Sequence, residues 1–161
     1  MNKTIAISGG FDPVHIGHLN MIKDASQQGS VIVILNSDEW LHRKKGYVFM
    51  PFEERKAILE AFSDVHHVIS VDDSDGTVCA ALDQLRPCYF GNGGDRISDN
   101  VPEVKFCKRY GIGLKWNLGG HKVQSSSELV THLKDYDYKD GDLKTHNDPS
   151  DPFELDLGIS G

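Results

Sequence analysis

Cysteine is scarce in these 161 residues: only Cys79, Cys88 and Cys107, an odd count without metal-ligand spacing. That excludes a disulfide framework and a zinc site, and a reduced chain is the natural reading. Long hydrophobic runs are missing too. Nothing is apolar for long enough to span a bilayer, and the first residues lack the apolar core of a secretory signal. The expectation is a cytoplasmic protein with no membrane partner. A basic block is also absent. The formal charge is −7, and from Tyr136 onward seven acids stand against two lysines, which leaves the preceding body near −2. So little positive charge argues against nucleic acid as the main ligand.

What the chain has is alternation. Apolar runs at residues 3–8, 31–35, 68–71, 88–91 and 113–116 are separated by segments of helical spacing. Gly29 closes the first helix, and Pro51 is placed as the first residue of another that runs to about Phe62. A helix from about Thr77 stops before Pro87, a further one has Pro102 near its start, and Ser125 to about Lys134 forms the last. Ser125 and Glu128 have capping-box spacing. Between Leu35 and Pro51 the spacing predicts a polar loop carrying His42-Arg43-Lys44-Lys45-Gly46. Strands alternating with helices give an α/β, doubly wound, mainly parallel five-stranded sheet. One domain over residues 1–135 is expected, followed by an acidic, flexible tail over 136–161.

Ligands of such sheets bind beyond the carboxyl ends of the strands. The stretch that matters most there is Ser8-Gly9-Gly10-Phe11-Asp12-Pro13-Val14-His15-Ile16-Gly17-His18. A strand leads in and a helix leads out, so main-chain N–H groups and a helix dipole point at one place, which suits phosphate. Gly17 leaves room for close approach. Two imidazoles at the same place could donate to phosphate oxygens and offset charge developing in a phosphoryl or nucleotidyl transfer. A turn with one exposed and one buried histidine is the plainer alternative.

His15-Ile16-Gly17-His18 resembles the H-x-G-H signature of the cytidylyltransferase-like nucleotidyltransferase superfamily. That superfamily includes the glycerol-3-phosphate cytidylyltransferases and the heptose-1-phosphate, pantetheine-phosphate and nicotinate-mononucleotide adenylyltransferases. Gln124-Ser125-Ser126-Ser127 is similar to its closing I-S-S-T motif, and Gly93-Gly94-Asp95 to the G-G-D of the heptose enzymes. The resemblance covers residues 3–135 and implies a Rossmann-like domain, nearest the glycerol-3-phosphate and heptose-1-phosphate group.

It implies an enzyme that joins CTP or ATP to a small polyol- or sugar-phosphate and releases pyrophosphate. His15, His18 and Lys44 are then the catalytic residues. Gly9, Gly10, Phe11, Gly17, Gly94, Asp95, Ser125, Ser126 and Ser127 bind nucleotide. Lys45 and Arg55 contact the substrate phosphate, the latter as part of an E-x-R segment, Glu53-Glu54-Arg55. Pairing of Arg55 with Glu54 or Glu60 on its own helix is the alternative. Mg²⁺ would arrive with the triphosphate and need few protein ligands. Asp12 reads as a loop-fixing residue, and no protein metal site is expected. The resemblance also implies a homodimer or higher homo-oligomer.

The arginine that precedes the serine motif in cytidylyltransferases is replaced here by Gly119-Gly120-His121-Lys122. Lys122 or His121 could substitute, but an ammonium is not an arginine fork, so the departure bears on the cytidylyltransferase assignment more than on the superfamily. Alternatives are an adenylyltransferase of the nicotinate-mononucleotide or pantetheine-phosphate type, and a non-catalytic nucleotide-binding module. A synthetase fragment would share His-Ile-Gly-His but needs a K-M-S-K-S-like loop, which is missing.

Overall fold

The computed structural model describes residues 2–93, 101–120 and 125–135. Aliphatic and β-branched runs form five parallel strands: β1 (Thr4–Gly9), β2 (Ser30–Leu35), β3 (Val65–Ser70), β4 (Tyr89–Gly93) and β5 (Gly113–Leu118). The helices are α1 (Ile16–Ser26), α2 (Asp38–Lys45), α3 (Phe52–Glu60), α4 (Cys79–Leu85), α5 (Pro102–Tyr110) and α6 (Ser126–Asp135). Strand order is β3-β2-β1-β4-β5, so the direction of winding reverses at β1. A cleft beyond the carboxyl ends of β1 and β4 is the expected consequence.

Side chains of alternating strand residues enter two cores. Ile5, Ile7, Val31, Val33 and Leu35 pack with Ile22 and Ala25 of α1 and Leu59 of α3. Ala6, Ile34 and Phe90 pack with Ala81 and Leu82 of α4 and Cys107 of α5. Both sheet faces are therefore covered, as a parallel sheet requires. The doubly wound architecture is the one the sequence implies, with every strand pair parallel.

Two parts of the compact unit Met1–Glu128 differ from expectation. The lysine-bearing segment is α2, not a loop. Ser37 caps it by accepting from Trp40 N at 3.0 Å, Asp38 and Glu39 occupy the first turn, and His42 to Lys45 the last. Gly46 closes it at φ 83°, a left-handed value that favours glycine. Charges of this polarity complement the helix dipole. Only Leu41 is buried, so no apolar periodicity announces the helix. Second, β3 begins at Val65, three residues before the expected start, and Pro51 is the residue before α3 rather than its first. Of the unit Leu129–Gly161, the described part is the rest of α6. The expected tail, 136–161, lies outside the described residues.

Candidate active site

The two histidines of the signature do structural work first. His15 is the N-cap of α1, and its Nδ1 accepts from Gly17 N at 3.0 Å. His18 Nδ1 accepts from His15 N at 3.2 Å. This is a capping box built from imidazoles, with the same three-residue offset as the usual serine–glutamate pair. Acceptance at Nδ1 places the proton of each neutral ring on Nε2, which becomes a donor. The rings stack with centroids 3.8 Å apart, and Phe11 backs His18 at 4.6 Å. Burial, then the charges of His15 and Lys45, push His18 down to about 3 from the ordinary histidine value. His18 is thus a neutral donor at physiological pH.

One expectation about the turn changes. The Gly17 N–H is taken by His15, so an anion here meets imidazole N–H groups rather than that main-chain donor.

The turn itself is held from outside. Asp12 is fully buried, and its two carboxylate oxygens accept from Phe49 N and Met50 N, each at 2.6 Å. It fixes the loop, as the sequence suggested. A Cβ on Gly10 would stand 2.7 Å from Leu41, so glycine lets α2 close against the turn.

Arg55 is not where the resemblance put it. It is fully buried, absent from the cleft lining, and four of its five N–H donors are bound within the protein. Nε donates to Met50 O, Nη1 to Gly10 O and Asn36 O, and Nη2 to Asp38 at 2.6 Å. Neither Glu54 nor Glu60 is the partner; Asp38 is. A guanidinium so committed ties the glycine turn, the end of β2 and the start of α2 together instead of contacting a substrate phosphate.

The start of α2 has a second anchor in Asp73, which accepts from Asn36 Nδ2 at 3.0 Å, Ser37 N at 2.8 Å and Ser37 Oγ at 2.6 Å. Burial pushes the Asp73 carboxyl up, but these hydrogen bonds outweigh it and leave it below the usual carboxylate range. Arg43 donates to Asp73 O at 2.8 Å. The helix so anchored carries Lys44, whose Nζ lies 4.5 Å from the Trp40 ring centroid, and Lys45. Burial lowers the Lys45 ammonium from its ordinary value, Asp12 opposes the shift and Arg55 adds to it.

Across the turn, Ser126 at the start of α6 is buried and donates from Oγ to Pro13 O at 2.8 Å. Ser125 Oγ accepts from Glu128 N at 3.5 Å, the cap bond its spacing predicts. Of the three serine hydroxyls, one therefore fastens the α6 N-terminus to the glycine turn.

These pieces border one cleft of about 710 Å³ at the carboxyl end of the sheet. Gly9, Gly10, Phe11, His15, Gly17, His18, Lys44, Lys45 and Ser125 to Ser127 all line it. Gly94, Asp95, His121, Lys122 and Gln124 lie outside the described residues. Sequence reading did not single out Trp40, Met21, Asn92 or Glu103, which also line the cleft. For Trp40 a signal existed, the Ser37 cap followed by two acids. A cleft of equal volume at the opposite end is formed by loops before β1, β2 and β3, and gathers none of the motifs.

Among the described residues no group of three His, Cys, Asp or Glu could hold a metal ion. No described helix is long and apolar enough to cross a membrane. A doubly wound parallel sheet thus carries a histidine-capped helix at the glycine turn and a serine-capped helix beside it. The chain belongs to the cytidylyltransferase-like family, whose model matches residues 6–135.

Among its relatives is the bifunctional protein HldE of Alcanivorax borkumensis, 33% identical over 116 residues. That match covers 70% of this chain and 24% of the relative. HldE of Pseudomonas putida is 33% identical over 135 residues, covering 82% of this chain and 28% of the relative. The match thus spans about a quarter of the length of these relatives. A lipopolysaccharide core biosynthesis protein from Thermoplasma volcanium has a similar fold, at TM-score 0.61 and 20% identity, over 73% of this chain and 95% of that one. So has a bifunctional NMN adenylyltransferase/ADP ribose pyrophosphatase from Francisella tularensis, at TM-score 0.59 and 16% identity, over 83% and 42%.

Proposed function

We propose that this protein joins a nucleoside triphosphate, CTP or ATP, to a small polyol- or sugar-phosphate and releases pyrophosphate. The observation that carries the reading is the imidazole capping box. It holds two stacked rings, with neutral His18 as an Nε2–H donor, at the positive end of α1, inside a cleft that also holds two lysines and the N-terminus of a second helix. Such an arrangement suits charge that builds on a phosphoryl group.

In this reaction an oxygen of the phosphate monoester attacks the α-phosphorus. A new P–O bond forms as the bond to the β-phosphate breaks, and its electrons leave with pyrophosphate. The protein contributes position and electrostatics. His15 and His18 donate to the reacting phosphate, His18 as a neutral ring with no extra proton to give up. Lys44 and Lys45 neutralise charge, and the α6 N-terminus at Ser125 to Ser127 receives the leaving group.

Mg²⁺ fits as a passenger of the triphosphate. Asp12, the acid next to the histidines in sequence, has both oxygens occupied, so phosphate oxygens and water would supply the coordination. Bound Mg²⁺ supplies charge neutralisation.

The test is pyrophosphate release with Mg²⁺, crossing four triphosphates against a panel of phosphate monoesters. One strong pair supports the proposal. Tight triphosphate binding with no release over the whole panel points to a binding module instead.

A further inference from the structure

Among the described residues, one buried side-chain nitrogen or oxygen lacks a hydrogen-bond partner: Nδ2 of Asn92. Asn92 is 8% exposed, belongs to the end of β4 and lines the cleft. An unpaired buried amide weakens the fold that contains it. Here the amide borders a cavity, where a bound molecule can supply the missing acceptor.

Its surroundings restrict what that acceptor is. Strand alternation places Asn92 on the face of Phe90, which packs with Val78 and Leu82 of the α4 side. The neighbouring Gly93 faces α1, since a Cβ there would meet Met21 Sδ at 2.7 Å. Asn92 therefore lies across the sheet edge from the histidine-bearing helix. Val78, Val101, Pro102 and Glu103 line the cleft with it. Glu103 Oε1 accepts from Val78 N at 3.1 Å, which fixes that carboxylate in place. Among the described lining residues the only lysines or arginines are Lys44 and Lys45, on the helix after β2, two strands away. Among the described residues, an amide donor and a carboxylate on this side of the cleft, with no lysine or arginine beside them, suit hydroxyl or carbonyl oxygen better than phosphate.

From this placement we infer that Asn92 is a specificity-determining residue, whose Nδ2 donates to an uncharged oxygen of a bound substrate, with Glu103 facing the same portion. The identity of the substrates rests on the proposed transferase reading. Two portions have this chemistry: the base and ribose of the triphosphate, and the hydroxyl-bearing chain of the phosphate ester.

Asn92→Leu keeps the branched four-atom shape, can place its larger methyls toward the cleft, and removes the amide. Removing an unpaired donor without leaving a cavity does not destabilise. Two measurements on the full chain decide the matter: thermal unfolding of the ligand-free protein, and calorimetric binding of CTP, ATP, glycerol 3-phosphate and glucose 1-phosphate. The expected result is a Tm equal to or above that of the parent, with affinity for one class of probe reduced about tenfold. Weakened triphosphate binding assigns the contact to the nucleoside, and weakened ester binding assigns it to the ester. A lower Tm overturns the inference, because the amide then has a structural partner. So do unchanged affinities for all four probes. Binding needs no turnover, so a parent protein that binds these probes but releases no pyrophosphate counts against the transferase reading and leaves the Asn92 result readable.

Discussion

His18 shows how much a single residue can be asked to do. It caps α1 through Nδ1 and presents its proton on Nε2. His18→Ala should lower kcat by at least ~100-fold, the usual scale for a lost charge-stabilising donor. It should cost only about 1 kcal/mol of stability, because one cap bond goes with it. A variant with full activity would remove His18 from the chemistry. The pH dependence has a definite sign. The folded-state value is about 3, far below the ordinary one, so unfolded chains bind a proton here that folded chains refuse. This group's contribution to stability is therefore complete above pH ~6.5 and falls as pH drops toward 3. Ring resonances of His18 in NMR should not titrate between pH 5 and 8.

Arg55 gives the opposite case. It is buried on four hydrogen bonds, one to Asp38, so Arg55→Met should lower stability by about 3 kcal/mol, measured by denaturant unfolding. A selective rise in substrate KM with unchanged stability would return it to the substrate site.

At the scale of elements, α2 is the piece whose position depends on others. Asp73 and Arg55 hold its first turn from two sides, while its last turn carries Lys44 and Lys45. Asp73→Ala leaves the Asn36 amide and the Ser37 N–H without their acceptor and should cost about 2 kcal/mol. It should also reduce turnover, because the lysines lose their anchor; loss of stability with full kcat would mean they are not used. Asp73 is held below its ordinary value, so its stabilisation is present above pH ~4 and fades as pH falls further.

The strands, the histidine-capped helix and the serine cap were legible because apolar runs, glycines and cap residues are local signals. The helical state of α2 was not, since one buried leucine in a charged segment makes no pattern. Nor was the role of Arg55, whose acceptors include the main-chain oxygens of Gly10, Asn36 and Met50. No motif announces a carbonyl. Asn92 was hidden for a related reason, because an unmet hydrogen bond is visible only once burial is known.

For the whole molecule, the decisive feature is the reversal of winding at β1, which opens a cleft where the glycine turn, α2 and the N-terminus of α6 come together. Both sheet faces are sealed by core, so chemistry is confined to that edge. The chain belongs to the cytidylyltransferase-like family, and the proposed account makes neutral His18 its central element. The most direct measurement is Mg²⁺-dependent pyrophosphate release by the parent chain and by His18→Ala, on the grid of four triphosphates and phosphate monoesters. The account predicts one strongly active pair that the substitution abolishes. Release that survives in His18→Ala would contradict it.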